Sequence, residues 1–491
     1  NWEQLDLFGR PEITVEKPIR MISFFAGYGS PEMALKRMGV PVEHHFVCEF
    51  DEHAIRSYNA VHGTEFPATD IRDVHGEDLK ITDKDKYCYI MTYSFPCFTG
   101  DTLVMTDSGL KQIKDVKEGD KVLSHDNSYQ KVLAKKLTKK KAELLKIKAS
   151  GLNELKCTPN HKFLVRSVKT KQVKSNGVRH NVRKLTEPEW KTAEELKRWD
   201  YVGYPINQNS IMPTWDGYDY KHGFWKEIKN SNVIKPLLGK HEFWWMIGRY
   251  VADGWIVKDL SVVFSVRTEK LDMFISNINE LGFSYSIKEK ERPAQKVYIS
   301  KKELVEFVKE YGMGAYNKHI AAYMFDMPEE YIKDFISGYE SGDGWIDKRG
   351  RHISSTVSKE LVYGLAQLVH KALKRPAFIS KYEKDVVLQI NGRDCHSHSI
   401  YTLQYNPIPK KSEKSFFADG QIWQPVKEIV HLEEKEDVYD IEVENTHSFT
   451  ANGIIAHNCT DLSLAGQQKG MSKGSGTRSS LLWATERMPK V

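Results

Sequence analysis

The spacing of apolar residues changes several times along the chain, and each change predicts a new kind of element. Near the start, "RMISFF" (20–25) is a mostly apolar run, followed by a Gly-rich turn. In "PEMALKRMGV", Met33, Leu35 and Met38 then recur as on a helix. Strand, glycine turn and helix in that order predict the opening of a doubly wound α/β sheet, with "HHFVCEF" (44–50) as its second strand. From residue 97 onward the pattern becomes strand-rich: "LLKIKAS" (144–150), "KFLVRS" (162–167) and "YDIEVEN" (439–445) predict one all-β domain split by an insertion. The insertion reads as helical at "EFWWMIGRYVADG" (242–254) and "YIKDFISGYESGDG" (331–344). Polar joints containing Pro and Gly, 207–223 and 406–420, flank it.

The insertion repeats itself. "YVADGWI" (250–256) and "ESGDGWI" (340–346) share Asp-Gly-Trp-Ile, and the same offset carries Glu269-Lys270-Leu271 onto Lys359-Glu360-Leu361. Each copy continues with an amphipathic helix, 271–283 or 361–373, and a basic alternating ribbon, 284–300 or 377–390. A duplicated subdomain with pseudo-two-fold symmetry and its own core is the expectation. Gly248 with Ala252, and Gly338 with Gly342, place small residues four apart, so the two helices can approach closely and bring Asp253 and Asp343 together. Two carboxylates there suit Mg²⁺ between scissile phosphates, with the ribbons' lysines and arginines on the backbone of double-stranded DNA.

Composition narrows the setting. A length of 491 residues suggests about three domains. No stretch approaches the roughly 18 apolar residues that span a bilayer, and "NWEQLDLFGRPEITVEK" has no basic region followed by an apolar run. A cytoplasmic location with no membrane partner is expected. Six cysteines (Cys48, Cys88, Cys97, Cys157, Cys395 and Cys459) without CxxC spacing argue against a disulfide framework or zinc cluster. "CHSHS" (395–399) reads as a polar loop. A net charge of +6 permits nucleic-acid binding without requiring it.

One discontinuity organises the rest. "YSFPC" (93–97) reads as a strand delivering a cysteine, yet "FTGDTLV" restarts as a turn and a new strand. The interrupted phrase resumes in "HNCTDLSLAGQ" (457–467), and joining Pro96 to Cys459 gives "YSFPCTDLSLAGQ". The ends of 97–458 carry the chemistry for that join. The Cys97 thiol can attack the Pro96 carbonyl, Cys459 can accept the acyl group by thioester exchange, and the Asn458 side-chain amide can cyclise onto its own carbonyl. A scaffold holding these groups together gives effective molarities of about 10⁵ to 10⁸ M.

Three resemblances follow from these residues. Segments 19–96 and 459–491 resemble the first part of a DNA cytosine-5 methyltransferase, an α/β Rossmann-like fold. That resemblance implies S-adenosylmethionine at Phe25, Gly27 and Gly29, with Glu49 on the ribose and Asp70 near the adenine. It also makes Cys459 the catalytic cysteine after Pro96, "GTRSSLLWATER" (476–487) the next motif, and the family's remaining C-terminal half a partner. Segment 97–458 resembles an intein, in "CFTGDTLVMTDSGLKQIKDVKEGDKVLS" (97–124), "LKCTPNHKFLV" (155–165) and "VYDIEVENTHSFTANGIIAHNC" (438–459). That implies a Hint-type all-β domain needing no cofactor. Thr158 and His161 would polarise the first scissile peptide, Asp440 and His447 assist exchange and cyclisation, and His457 assist Asn458. The repeat resembles the two-motif LAGLIDADG homing endonucleases, with Asp253 and Asp343 as acids and metal ligands and Lys318 as the lysine before the second motif. Arg249-Tyr250-Val251 departs from that pattern.

The expected organisation is methyltransferase at 1–96, splicing domain at 97–205, endonuclease at 236–407, splicing domain again at 416–458 and methyltransferase at 459–491. Two rival organisations share some of these residues. A self-cleaving hedgehog-type module would release without joining, and a methyltransferase with a non-splicing inserted DNA-binding domain would keep Cys97 as its own catalytic thiol.

Overall fold

A computed structural model describes residues 17–458, apart from 25, 28, 38, 50–51, 70–73, 93–96, 152–153, 176–177, 223–226, 289–292, 384–385, 391–392, 398 and 411–412. The described residues fall into two compact units, one before residue 96 and one from 97 to 458.

In the first unit, strand Ile19–Phe24 is flanked in parallel by Val42–Cys48 and Cys88–Thr92. Helices α1 (Ser30–Arg37) and α2 (Glu52–His62) lie in the connections between these strands. Parallel pairing requires such crossovers, and they explain why the middle strand buries Met21, Ile22 and Ser23 in succession rather than alternating.

The second unit is organised by two long antiparallel strands, Tyr129–Ala149 and Gln421–Val443, paired from Val426 opposite Ala149 to Val443 opposite Val132. Their inner residues Val132, Leu145, Ile147, Val426, Ile441 and Val443 are fully buried. The two-residue strand Phe98–Thr99 is hydrogen-bonded between Val438–Tyr439 and Cys157, so the start of the segment is threaded into the sheet. Its end is there too: Ile454–His457 pairs with Ser448–Ala451 and meets Phe163 of Lys162–Arg166.

Between these strands the chain builds the same sheet twice. Helix α3 (His241–Asp253) leads into strands Gly254–Val257 and Ser261–Arg267, helix α4 (Leu271–Glu280), and strands Ser286–Lys288 and Ala294–Ile299; α5 (Lys302–Lys309) follows. Helix α6 (Glu329–Asp343) leads into Gly344–Ile346 and His352–Thr356, then α7 (Lys359–Leu373), Ala377–Tyr382 and Ile400–Tyr405. In both sheets the third strand pairs outside the fourth, which gives the same strand order. The two copies meet along α3 and α6. A Cβ at Gly248 would overlap the Phe335 carbonyl and one at Gly338 the Trp245 carbonyl, so glycine is what lets these backbones touch.

Three expectations are corrected. The repeat does not have a core of its own: one apolar cluster runs from Phe98 and Leu145 through Ile247, Phe335 and Val369 to Phe449 and Ala456. Helix α7 shows why. Whereas α4 buries only Phe274 and Ile278, α7 is buried nearly all round, and His370 on it packs against Tyr204 of the splicing-domain strand Tyr201–Pro205. The polar joint expected at 207–223 is not wholly irregular. Its end forms the first strand of the hairpin Tyr218–His222/Glu227–Ser231, and the buried Glu303 carboxylate on α5 accepts hydrogen bonds from Trp215 Nε1, Ser231 Oγ, Val233 N and Ile234 N. Finally, Arg393–Ser397 is a strand paired with Val386–Ile390, where a loop was expected at "CHSHS".

Candidate functional site

Because Phe98–Thr99 is clamped on both sides, Cys97 just before it is only 1% exposed. Its N–H donates to Thr158 Oγ1 at 2.8 Å and its carbonyl accepts from Thr158 N–H at 2.9 Å. Thr158 belongs to the turn between strands Leu155–Cys157 and Lys162–Arg166, and the same turn carries His161. The His161 ring lies 3.9 Å from that of Phe98, wholly buried, and burial pushes its imidazole down to about 3. Neither of its ring nitrogens has a hydrogen-bond partner among the described residues. It is therefore neutral at physiological pH, and can give a proton only from a neutral N–H. Asp440, on the long strand, is also fully buried and accepts from the Ile441 N–H at 2.9 Å.

At the other end, Asn458 is 2% exposed and its N–H donates to the His447 carbonyl at 2.9 Å. With its amide oriented to satisfy its neighbours, Nδ2 donates to the same carbonyl at 2.7 Å and Oδ1 accepts from Val443 N–H at 3.0 Å. His447 reaches this position with a left-handed backbone, φ 50°. His457 Nδ1 lies 2.6 Å from the Asn458 carbonyl oxygen; since a carbonyl only accepts, Nδ1 carries the proton. The His457 ring stands edge-on to Trp190, and burial pushes it down to about 4. Thr158, His161, Asp440, His447, His457 and Asn458 thus line one sheet region with Cys97, while Pro96 and Cys459 lie outside the described residues. Thr138, His125 and Trp190 were not foreseen. They belong to no linear motif: Thr138 enters through strand register at Cys97 Sγ, and His125, in the turn before strand Tyr129–Ala149, places Nδ1 2.7 Å from Ser448 Oγ.

In the repeat, Asp253 and Asp343 end α3 and α6. Burial, and then the charge of Asp253, push the Asp343 carboxyl up to about 7. Arg249 Nη1 lies 2.7 Å from Asp253 Oδ2, and Nη2 donates to the Ser265 carbonyl at 2.6 Å. Lys318 is buried, and its ammonium donates to the carbonyls of Tyr250, Val251 and Gly254 at the end of α3. Burial brings it down to about 8, while the two acids oppose that shift. Two crowded carboxylates fit a hard divalent cation that completes its shell with water and phosphate oxygens. Among the described residues no group of three or more ligating side chains converges anywhere.

In the first unit, Gly27 (φ 54°) and Gly29 (φ 81°) follow the middle strand, and Gly29 opens α1 by accepting from Met33 N–H at 3.0 Å. Glu49 Oε2 accepts from Gly27 N–H at 3.0 Å, so the acid at the second strand's end touches the glycine loop. Positive φ at both glycines and a helix N-terminus suit the backbone approach that a nucleoside cofactor requires. Phe25 and Asp70 lie outside the described residues.

A family model described as an intein splicing domain matches residues 103–458, and one described as a C-5 cytosine-specific DNA methylase matches residues 19–99. The chain is similar to the ATP-dependent DNA helicase Hel308 of Thermococcus kodakarensis, 27% identical over 416 residues, covering 75% of this chain and 36% of that protein. It is 24% identical over 409 residues to an iron-sulfur cluster assembly SufBD family protein of Mycobacterium tuberculosis, covering 78% of this chain and 44% of that one. The chain therefore spans less than half the length of these relatives. Solved structures that resemble it include a mutant of the Ssp DnaB mini-intein variant M86, with 11% identity over 74% of this chain and 98% of that one and a TM-score of 0.24. I-DmoI in complex with DNA and Mn has 17% identity over 36% and 91%, with a TM-score of 0.23.

The buried histidines have a consequence for stability. His161, His370 and His457 are held neutral by burial, at about 3, 3 and 4 against an ordinary 6.5. Below 6.5 the unfolded chain binds protons that the folded chain refuses, so stability intact above that pH is lost as the pH falls. Thermal unfolding of a Cys97→Ala/Asn458→Ala chain should shift down between about pH 7 and 5. His370→Gln should lessen that loss by up to about 1.4 kcal/mol per pH unit. An undiminished loss in the glutamine chain would contradict a buried, neutral His370.

Proposed function

Because the chain belongs to the intein splicing family, we propose that residues 97–458 excise themselves and join Pro96 to Cys459. In the first step the Cys97 sulfur bonds to the Pro96 carbonyl carbon, the bond from that carbon to the Cys97 nitrogen breaks, and the thiol proton ends on the freed amine. Thr158 holds that nitrogen, and the neutral His161 relays the thiol proton to it, giving one proton as it takes up the other. Exchange moves the acyl group to Cys459, aided by Asp440 and His447. The Asn458 side-chain nitrogen then attacks its own carbonyl carbon, His457 Nδ1–H stabilises the oxygen, and the Cys459 amine leaves to take the acyl group from its own sulfur. The observation that carries this reading is the hydrogen-bond partner at each end of the segment, Thr158 on the Cys97 nitrogen and His457 on the Asn458 carbonyl. The relatives add support, since the helicase and the SufBD protein have unrelated names while matching about the share of this chain that 97–458 makes up.

On the same reading the flanks form a cytosine methyltransferase once joined, its match beginning at residue 19. Gly27, Gly29 and Glu49, with Phe25 and Asp70, would hold S-adenosylmethionine, which supplies the methyl group. Cys459 would attack carbon 6 of a flipped cytosine. On this reading the site of action is cytoplasmic. The repeat is proposed as a Mg²⁺-dependent homing endonuclease cutting double-stranded DNA at the uninterrupted junction of the host gene. Asp253 and Asp343 would hold the cation, and Lys318 keeps the end of α3 in place beside them.

Asn458→Ala should stop joining but leave the first step intact, so that added thiol releases a piece ending at Pro96; no release would contradict Cys97 as nucleophile. Asp253→Asn or Asp343→Asn should each abolish Mg²⁺-dependent cutting of junction DNA, with splicing unchanged in yield. Cutting at the parent rate in both variants would sink the two-acid assignment.

A further inference from the structure

The geometry points to Thr138 as the residue that positions the Cys97 sulfur for acyl transfer, an inference that rests on the reading of Cys97 as nucleophile. In the pairing of the two long strands, Val438 lies opposite Lys139 and Tyr439 opposite Leu137, so Thr138 is an extra residue with no counterpart. A bulged residue is re-aimed out of the regular alternation. Here the re-aiming sets the Thr138 hydroxyl 2.6 Å from Cys97 Sγ and 3.0 Å from the Val438 carbonyl oxygen.

A carbonyl oxygen can only accept, so the hydroxyl proton goes to Val438 and the Cys97 S–H points into a Thr138 lone pair. This fixes the thiol rotor in a site where the residue is almost fully buried. As the sulfur bonds to the Pro96 carbonyl carbon and its proton passes to the departing Cys97 nitrogen, the hydroxyl is free to turn its hydrogen toward the sulfur. Thr138 gains and loses no proton overall. It is a positioning residue that meets both forms of the sulfur, acceptor to the thiol and donor to the thiolate, and the thiolate is the nucleophilic form. Serine keeps this capacity and valine, of the same shape, does not.

The test follows the release of the piece ending at Pro96 by dithiothreitol in an Asn458→Ala chain. Thr138→Val should slow release about tenfold, the effect of one lost hydrogen bond, and Thr138→Ser should stay within about twofold of the parent. In a Cys97→Ala chain, Thr138→Val should leave Asn458-dependent cleavage unchanged, which establishes that the fold is kept. Release at the parent rate in the valine chain, or serine as slow as valine, overturns the assignment. If valine abolishes Asn458-dependent cleavage as well, Thr138→Ala in the same two chains decides by the same rates. Thiol-induced release that persists in a Cys97→Ala/Asn458→Ala chain overturns instead the reading of Cys97, so the two failures are told apart.

Discussion

The antiparallel pairing of Tyr129–Ala149 with Gln421–Val443 is the constraint on which the second unit depends. The two strands come from regions separated by the whole repeat, and their register fixes where everything between and beside them lies. Val438 and Tyr439 supply the edge that receives Phe98–Thr99, and Asp440 follows one residue later on the same strand. Beyond the long strand, the chain turns back through Ser448–Ala451 to deliver His457 and Asn458. A slip of one residue would turn each side chain of the strand to the opposite face, Asp440 with them.

The long insertion between these strands is accommodated because it folds against the sheet instead of hanging from it. Helix α7 is covered by its own sheet on one side and by the splicing sheet on the other, and the Lys359 ammonium donates to Asp101, four residues after Cys97. The two activities proposed for this segment therefore share packing while keeping separate chemical groups. Asp253 and Asp343 lie at helix ends, whereas Cys97 and Asn458 lie at strand ends. Inside the repeat, the backbone contact of α3 with α6 at Gly248 and Gly338 brings the two acids together, and burial makes their mutual repulsion felt.

Much of this was legible where chemistry is written in short motifs. Thr158 and His161 share one turn, His457 and Asn458 are adjacent, and the two Asp-Gly-Trp-Ile copies declare a duplication, so each could be found without knowing the fold. Thr138 could not, because its role comes from a bulge between strands almost three hundred residues apart in sequence. The Arg249 contact with Asp253 was visible only as a departure from a pattern, since nothing in Arg-Tyr-Val says where a guanidinium will point. The continuous core was hidden for a related reason. Apolar periodicity reports how many faces of a helix are covered, and "LVYGLAQLVHKAL" reads as one-faced when Gly364, Ala366 and His370 are counted as polar or neutral, although every interior position of that helix but Gln367 is buried.

The central claim is that Pro96 becomes bonded to Cys459, and mass spectrometry of freshly expressed chain tests it most directly. The account predicts a free 97–458 segment together with a product whose proteolytic peptides contain Phe95-Pro96-Cys459-Thr460 in unbroken sequence. Only an intact chain, or separate 1–96 and 459–491 pieces with no junction peptide, would contradict it.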